Sequence, residues 1–129
     1  MAMHCFVFVK NMGNEKIFNK FLKDIVSQTK EWKQLIKFKK IIPLKNNEKP
    51  EEKWWCTKEF GYNLEITGKD TFYFLVPWQC PCWLFVNLKN EIKKRWKWLH
   101  LKIYFEFEEE GPVWKIFVNE KRAIIVRTK

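Results

Sequence analysis

Leu101-Lys102-Ile103-Tyr104-Phe105-Glu106-Phe107-Glu108 places Leu101, Ile103, Phe105 and Phe107 alternately with Lys102, Tyr104, Glu106 and Glu108. A period of two is the pattern of a strand with one face on a core and the other toward water. Glu109-Glu110-Gly111-Pro112 then supplies a turn, Val113 to Val118 a second strand, Asn119-Glu120 another turn, and Lys121 to Arg127 a third strand. Short strands joined by turns pair as antiparallel neighbours. This end of the chain therefore predicts a three-stranded antiparallel sheet, and the remaining elements must be able to cover one of its faces.

Working back from it, Trp83 to Leu99 carries Leu84, Leu88, Ile92, Trp96 and Leu99 at helical spacing, with Lys89, Lys93 and Lys97 on another side and Pro81 near the start. Trp54 to Phe60, Tyr62 to Thr67 and Thr71 to Val76 read as a three-strand meander broken at Gly61 and at Gly68-Lys69-Asp70. Residues 43–53 are polar and proline-punctuated, which predicts a mobile surface loop. Glu15 to about Lys40 predicts one long amphipathic helix. Phe18, Phe21, Leu22, Ile25, Trp32, Leu35 and Ile36 share a face at 100° per residue, Lys16, Lys20, Lys23, Lys30 and Lys37 lie opposite, and Asn14 is the N-cap. Cys5-Phe6-Val7-Phe8-Val9 lacks polar alternation and predicts a strand buried on both faces.

The expected fold class is α+β, in the order β-α-β-β-β-α-β-β-β, with two amphipathic helices on one face of an antiparallel sheet. A ferredoxin-like core with added hairpins fits that order as an analogy of pattern. The 129 residues are expected to form a single domain, with Met1 and Ala2 read as a cloning addition ahead of Met3.

The formal charge of +10 comes from 22 Lys and 3 Arg against 13 Glu and 2 Asp. A lysine field is suited to diffuse attraction toward phosphates rather than to bidentate recognition. It favours nucleic acid, an anionic surface or an acidic protein as partner. Eight Trp and twelve Phe exceed what a core of this size takes without leaving some ring at the surface. The densest interleaving of base and ring is Lys93-Lys94-Arg95-Trp96-Lys97-Trp98. It could hold phosphates while an exposed Trp98 stacks on a base, the arrangement of single-stranded nucleic-acid binders. It could equally keep Trp96 in the core and leave the lysines as a solvated helix face.

Several chemistries lack their signatures. The four glycines are scattered, and no phosphate loop, nucleophile elbow or zinc-binding helix motif occurs. Cys80-Pro81-Cys82 has the wrong spacing for a zinc knuckle or a thioredoxin-type motif, and Cys5 and Cys56 are expected to be small core residues. No cofactor or metal is expected. The absence of a secretory leader pattern and of a long apolar run leads to the expectation of a cytoplasmic protein without a membrane span.

The leading expectation is a non-enzymatic binder of a polyanion, RNA or single-stranded DNA first. Its contacts would be Lys16, Lys20, Lys23, Lys30, Lys37, Lys89, Lys93, Lys94, Arg95 and Lys97, with Trp98 as stacking platform. The alternative is a small interaction or inhibitor protein, of the kind mobile elements encode, docking on an acidic surface of a larger complex. Third comes a small nuclease using Glu106, Glu108 and Glu110 beside Lys115.

Overall fold

A computed structural model describes residues 4–31, 33–54, 56, 58–107 and 111–127. Strand β1 (His4–Asn11) alternates strictly, with Cys5, Val7 and Val9 buried and Phe6 and Phe8 only half-buried. The expectation of a strand buried on both faces is therefore corrected: an apolar side chain on the second face reflects an open aromatic surface rather than a second core layer. β1 lies between β5 (Thr71–Pro77) and β6 (Leu101–Phe107), antiparallel to both.

Helix α1 (Glu15–Ile25) starts where Asn14 accepts from the Ile17 N–H at 3.1 Å, and it buries Phe18, Phe21 and Ile25. The long helix expected to Lys40 ends there. Val26–Gln28 is strand β2, Gln34–Lys37 is strand β3, and Phe38–Ile41 is a single helical turn, α2. Val26, Ser27 and Thr29 are weak helix formers that favour extended or turn backbone. The Thr29 hydroxyl accepts from the N–H groups of Glu31 and Lys33, closing the β2–β3 turn. Trp32, assigned to that helix's apolar face, lies outside the described residues.

The loop expected over residues 43–53 ends in a helical turn, α3 (Pro50–Lys53), with Pro50 at its start and Glu51 and Glu52 in its first turn. The strand expected from Trp54 does not form. Trp54 is the C-cap of α3, fully buried, with its indole N–H donating to the Ile42 carbonyl at 3.2 Å and its ring edge-on to Phe38 at 5.9 Å. After Trp54 the polypeptide re-enters the sheet at β4 (Phe60–Thr67), which turns through Gly68 into β5.

Helix α4 (Cys82–Arg95) follows Pro81 and stops four residues before the expected Leu99. It buries Leu84, Phe85, Leu88 and Ile92. β7 (Gly111–Val118) and β8 (Ala123–Arg127) complete the final meander. The described residues form an α+β fold, an eight-stranded antiparallel sheet in the order β2-β3-β4-β5-β1-β6-β7-β8 with four helical segments. The observed chain order is β-α-β-β-α-α-β-β-α-β-β-β, replacing the expected one.

The core joins side chains of the helices to side chains of the sheet. Phe18 of α1 meets Phe72 of β5 at 5.8 Å, and Phe85 of α4 meets Phe105 of β6 at 5.9 Å. Trp96 joins the two helical segments, edge-on to Phe21 at 4.8 Å with its indole N–H donating to Asp24 at 2.8 Å. Cys5 and Cys80 form a disulfide, which corrects the expectation that Cys5 is a free core thiol. Cys56 and Cys82 are free, and burial pushes both thiols up to about 11. No helix among the described residues is long and apolar enough to cross a membrane.

Candidate nucleic-acid interface

The sheet face opposite the one that carries buried Val7, Val9, Phe72 and Phe105 is built from β4, β5, β1, β6, β7 and β8, and cross-strand register sets its side chains in rows. One row runs Glu65, Tyr73, Phe8, Tyr104, Lys115, Val126. A second runs Thr67, Thr71, Lys10, Lys102, Phe117, Ile124. A third places Tyr62, Leu75, Phe6 and Glu106 side by side. Strands about 4.8 Å apart make each of the longer rows about 24 Å wide.

The rings touch. Phe8 lies 5.4 Å from Tyr73 and 5.9 Å from Tyr104, and it stacks within 22° of the Phe6 plane at 6.5 Å. Two lysines interleave with them, Lys115 with its ammonium 5.8 Å from the Tyr104 ring and Lys102 5.9 Å from the Phe117 ring. Tyr73 donates its hydroxyl to Glu65, a bond that, with partial burial and the Glu65 charge, pushes the phenol up from its ordinary value. The face is thus a half-exposed aromatic floor with cations at its centre and a carboxylate at one end.

The comparisons offer no precedent for it. No protein-family model, curated protein or solved structure matches the chain.

The residues expected from sequence to bind nucleic acid lie on α1, the β2–β3 turn, β3, α4 and the loop after it, and of these Lys20 and Arg95 both act on Asp24. Lys16, Lys20 and Lys23 are exposed on α1, where Lys20 pairs with Asp24 at 2.9 Å. Lys30 sits in the β2–β3 turn and Lys37 on β3, so the single lysine ridge is divided among three elements. Lys89, Lys93 and Lys94 line α4. Arg95 is occupied by the fold: its guanidinium donates to the carbonyls of Lys40 and Ile41, pairs with Glu91 at 3.1 Å, and lies 4.1 Å over the Trp96 ring. Trp98, in the loop after α4, is 69% exposed with φ +79°, and the Lys97 ammonium is 5.6 Å from its ring. It borders a shallow apolar depression of about 300 Å³ with Gly13, His100 and Lys121.

Of the nuclease constellation only Glu106 and Lys115 are among the described residues. Lys115 stands opposite Tyr104, while Glu106 stands opposite Pro112 and Phe6. Glu108 and Glu110 lie outside the described residues, and no three His, Cys, Asp or Glu side chains converge among those described. Sequence reasoning missed the sheet face because the rings of Phe6 and Phe8 were assigned to a core. The visible signal was their period of two, in step with Tyr73 and Tyr104 on neighbouring strands.

Proposed function

We propose that this protein binds single-stranded nucleic acid, RNA or DNA, on the open face of its sheet. The observation that carries the reading is the contiguous row Tyr73, Phe8, Tyr104 with Lys102 and Lys115 set among the rings and Lys10 beside Lys102. Unpaired bases gain about 1–3 kcal/mol each by stacking on aromatic side chains, and lysines beside them neutralise the connecting phosphates. The lysines of α1 and α4 act at longer range, as part of the +10 field that draws a polyanion toward the molecule.

In this reading β4-β5-β1-β6 is a ferredoxin-like core with α1 and α4 on one face, and the β2–β3 and β7–β8 hairpins widen the platform at both edges. A cytoplasmic setting goes with such a partner; of the disulfide's two halves Cys5 is fully buried and Cys80 half-buried. A second reading, docking on another protein, is favoured by edge strand β8, where Ile124, Ile125 and Val126 are all exposed.

The test is fluorescence anisotropy of labelled oligonucleotides against salt. Platform binding predicts tight association with single strands, weak association with duplex, and log affinity falling by about 0.7 per phosphate contact for each log unit of salt. Equal affinity for duplex and single strand would overturn it. Recovery of one stoichiometric, nuclease-resistant protein partner, with no oligonucleotide binding at low salt, would install the second reading in its place.

A further inference from the structure

The platform carries a recess at the edge nearest β4. Between Tyr62 and Glu65 the pairing of β4 with β5 shifts: Tyr62 stands opposite Leu75 and Glu65 opposite Tyr73, so two residues of β4, Asn63 and Leu64, face a single residue of β5. Asn63 takes φ +54°, a left-handed conformation that asparagine tolerates better than most residues. Such bulges bend a strand and re-aim its side chains, and they are frequent beside binding sites. Here the bulge opens a depression of about 380 Å³ lined by Phe6, Asn63, Leu64, Glu65, Tyr73 and Leu75. Its volume falls within the range of small-molecule sites, its floor is apolar and aromatic, and its one charged group is the Glu65 carboxylate.

Glu65 stands opposite Tyr73 at the end of the Tyr73–Phe8–Tyr104 row, and an ionised carboxylate offers two oxygens with several lone-pair sites. It can only accept. A base entering the depression with its Watson–Crick edge toward Glu65 must therefore present donors. Guanine presents two side by side, N1–H and the 2-amino group, which match the two carboxylate oxygens in a bidentate pair. Adenine and cytosine each present one amino group beside a ring-nitrogen acceptor, and uracil or thymine presents one N–H between two carbonyls. Each of these sets an acceptor lone pair against the anion.

We infer that the depression at the β4 bulge is a guanine-selective subsite, with Glu65 reading the base's two donors and Phe6, Tyr73 and Leu75 supplying the apolar floor. The inference rests on the single-strand platform reading and deepens it by naming a base. Glu65 is the reading group and Tyr73 a positioning residue.

The experiment uses short oligouridylates bearing one central guanosine, inosine, adenosine or cytidine, with affinity measured by anisotropy on the full chain. One good bidentate contact is worth about tenfold between the right and wrong base. Guanosine should therefore bind about tenfold tighter than adenosine or cytidine, and inosine, which lacks the 2-amino group, should lie between. Glu65→Gln should bring the guanosine-to-adenosine ratio to about one, since its amide sets a donor against a donor. Tyr73→Phe should lower the ratio partway without removing it. Measuring ratios within one variant cancels the general gain in affinity that follows loss of a negative charge. A wild-type ratio of one, or a guanosine preference that survives Glu65→Gln, overturns the inference while leaving the platform standing. If no oligonucleotide binds at any salt, the platform reading fails and the subsite falls with it.

Discussion

Phe8→Ala removes the ring at the centre of the open face, and the structure gives the size of the effect. The ring touches Tyr73, Tyr104 and Phe6, at 5.4, 5.9 and 6.5 Å, so its loss interrupts the aromatic row and takes away the surface on which one base would lie. One stacked base is worth about 1–3 kcal/mol, and a loss of about 2 kcal/mol weakens single-strand affinity about 30-fold. No charge is removed, so the salt slope should stay where it was. Lys102→Gln should behave the other way, with a smaller loss of affinity and a slope shallower by about 0.7. Phe8 is only half-buried, so truncation should cost about 2 kcal/mol of stability and leave the domain folded at room temperature, which a thermal melt checks. The comparison that decides is a triple change of Lys16, Lys20 and Lys23 to Gln on α1, which lies across the core from the platform. If Phe8→Ala binds like the wild type at every salt concentration while the α1 triple variant loses binding, the sheet is not the interface.

Three further outcomes follow from the packing. A Cβ on Gly61 would clash with three ring carbons of buried Phe74, so Gly61→Ala should cost about 3 kcal/mol in urea unfolding; Gly68→Ala, with φ +70° and open space around it, should cost about 1 kcal/mol. Burial works to raise the Asp24 carboxyl, but hydrogen bonds from Trp96 and Lys20 and the charges of Lys20 and Arg95 outweigh it and hold it below its ordinary 3.8. A depressed folded value contributes stability above the unfolded value that is lost as pH falls through the folded one, so the stability gap between wild type and Asp24→Asn should be constant at neutral pH and close below about pH 4. Cys56 and Cys82, held up to about 11 by burial, should resist a thiol reagent at pH 8 in the native state and react only on unfolding; reducing Cys5–Cys80, which spans 75 residues, should lower stability by about 4 kcal/mol in the same melts.

Local chemistry made much of the sheet legible. Leu101 to Phe107 alternates because one face must be dry, and the turns at Gly68 and Asn119 fix the β4–β5 and β7–β8 hairpins. What misled was periodicity carried across a gap. Ile25 and Trp32 are seven residues apart, two helical turns, so Leu35 and Ile36 continued the stripe of α1 although they belong to a strand. The stretch Val26-Ser27-Gln28-Thr29 contradicts a helix, and Thr29 does what a turn threonine does by accepting from two backbone N–H groups. Before Trp54, Pro50-Glu51-Glu52 is a helix start, with proline where no N–H is needed and acids in the first turn, and it was outweighed by the aromatic pair that follows.

The candidate site was hidden for a different reason. A lone strand such as Cys5 to Val9 reads the same whether its second face meets a core or carries exposed rings, because hydrophobicity reports that a side chain avoids water and not what replaces the water. The neighbours decide. Phe8 is flanked by Tyr73 and Tyr104, rings that each carry a polar end, and Lys10 by Lys102 and Thr71, side chains that a second core layer would leave without partners. A strand whose register partners on one face are tyrosine, lysine and threonine therefore faces solvent or a polar ligand on that side. The same logic separates the two lysine populations. Those on α1 surround a buried stripe and keep the helix soluble, whereas Lys102 and Lys115 reach over aromatic rings, where a solvated face would have placed them over polar neighbours.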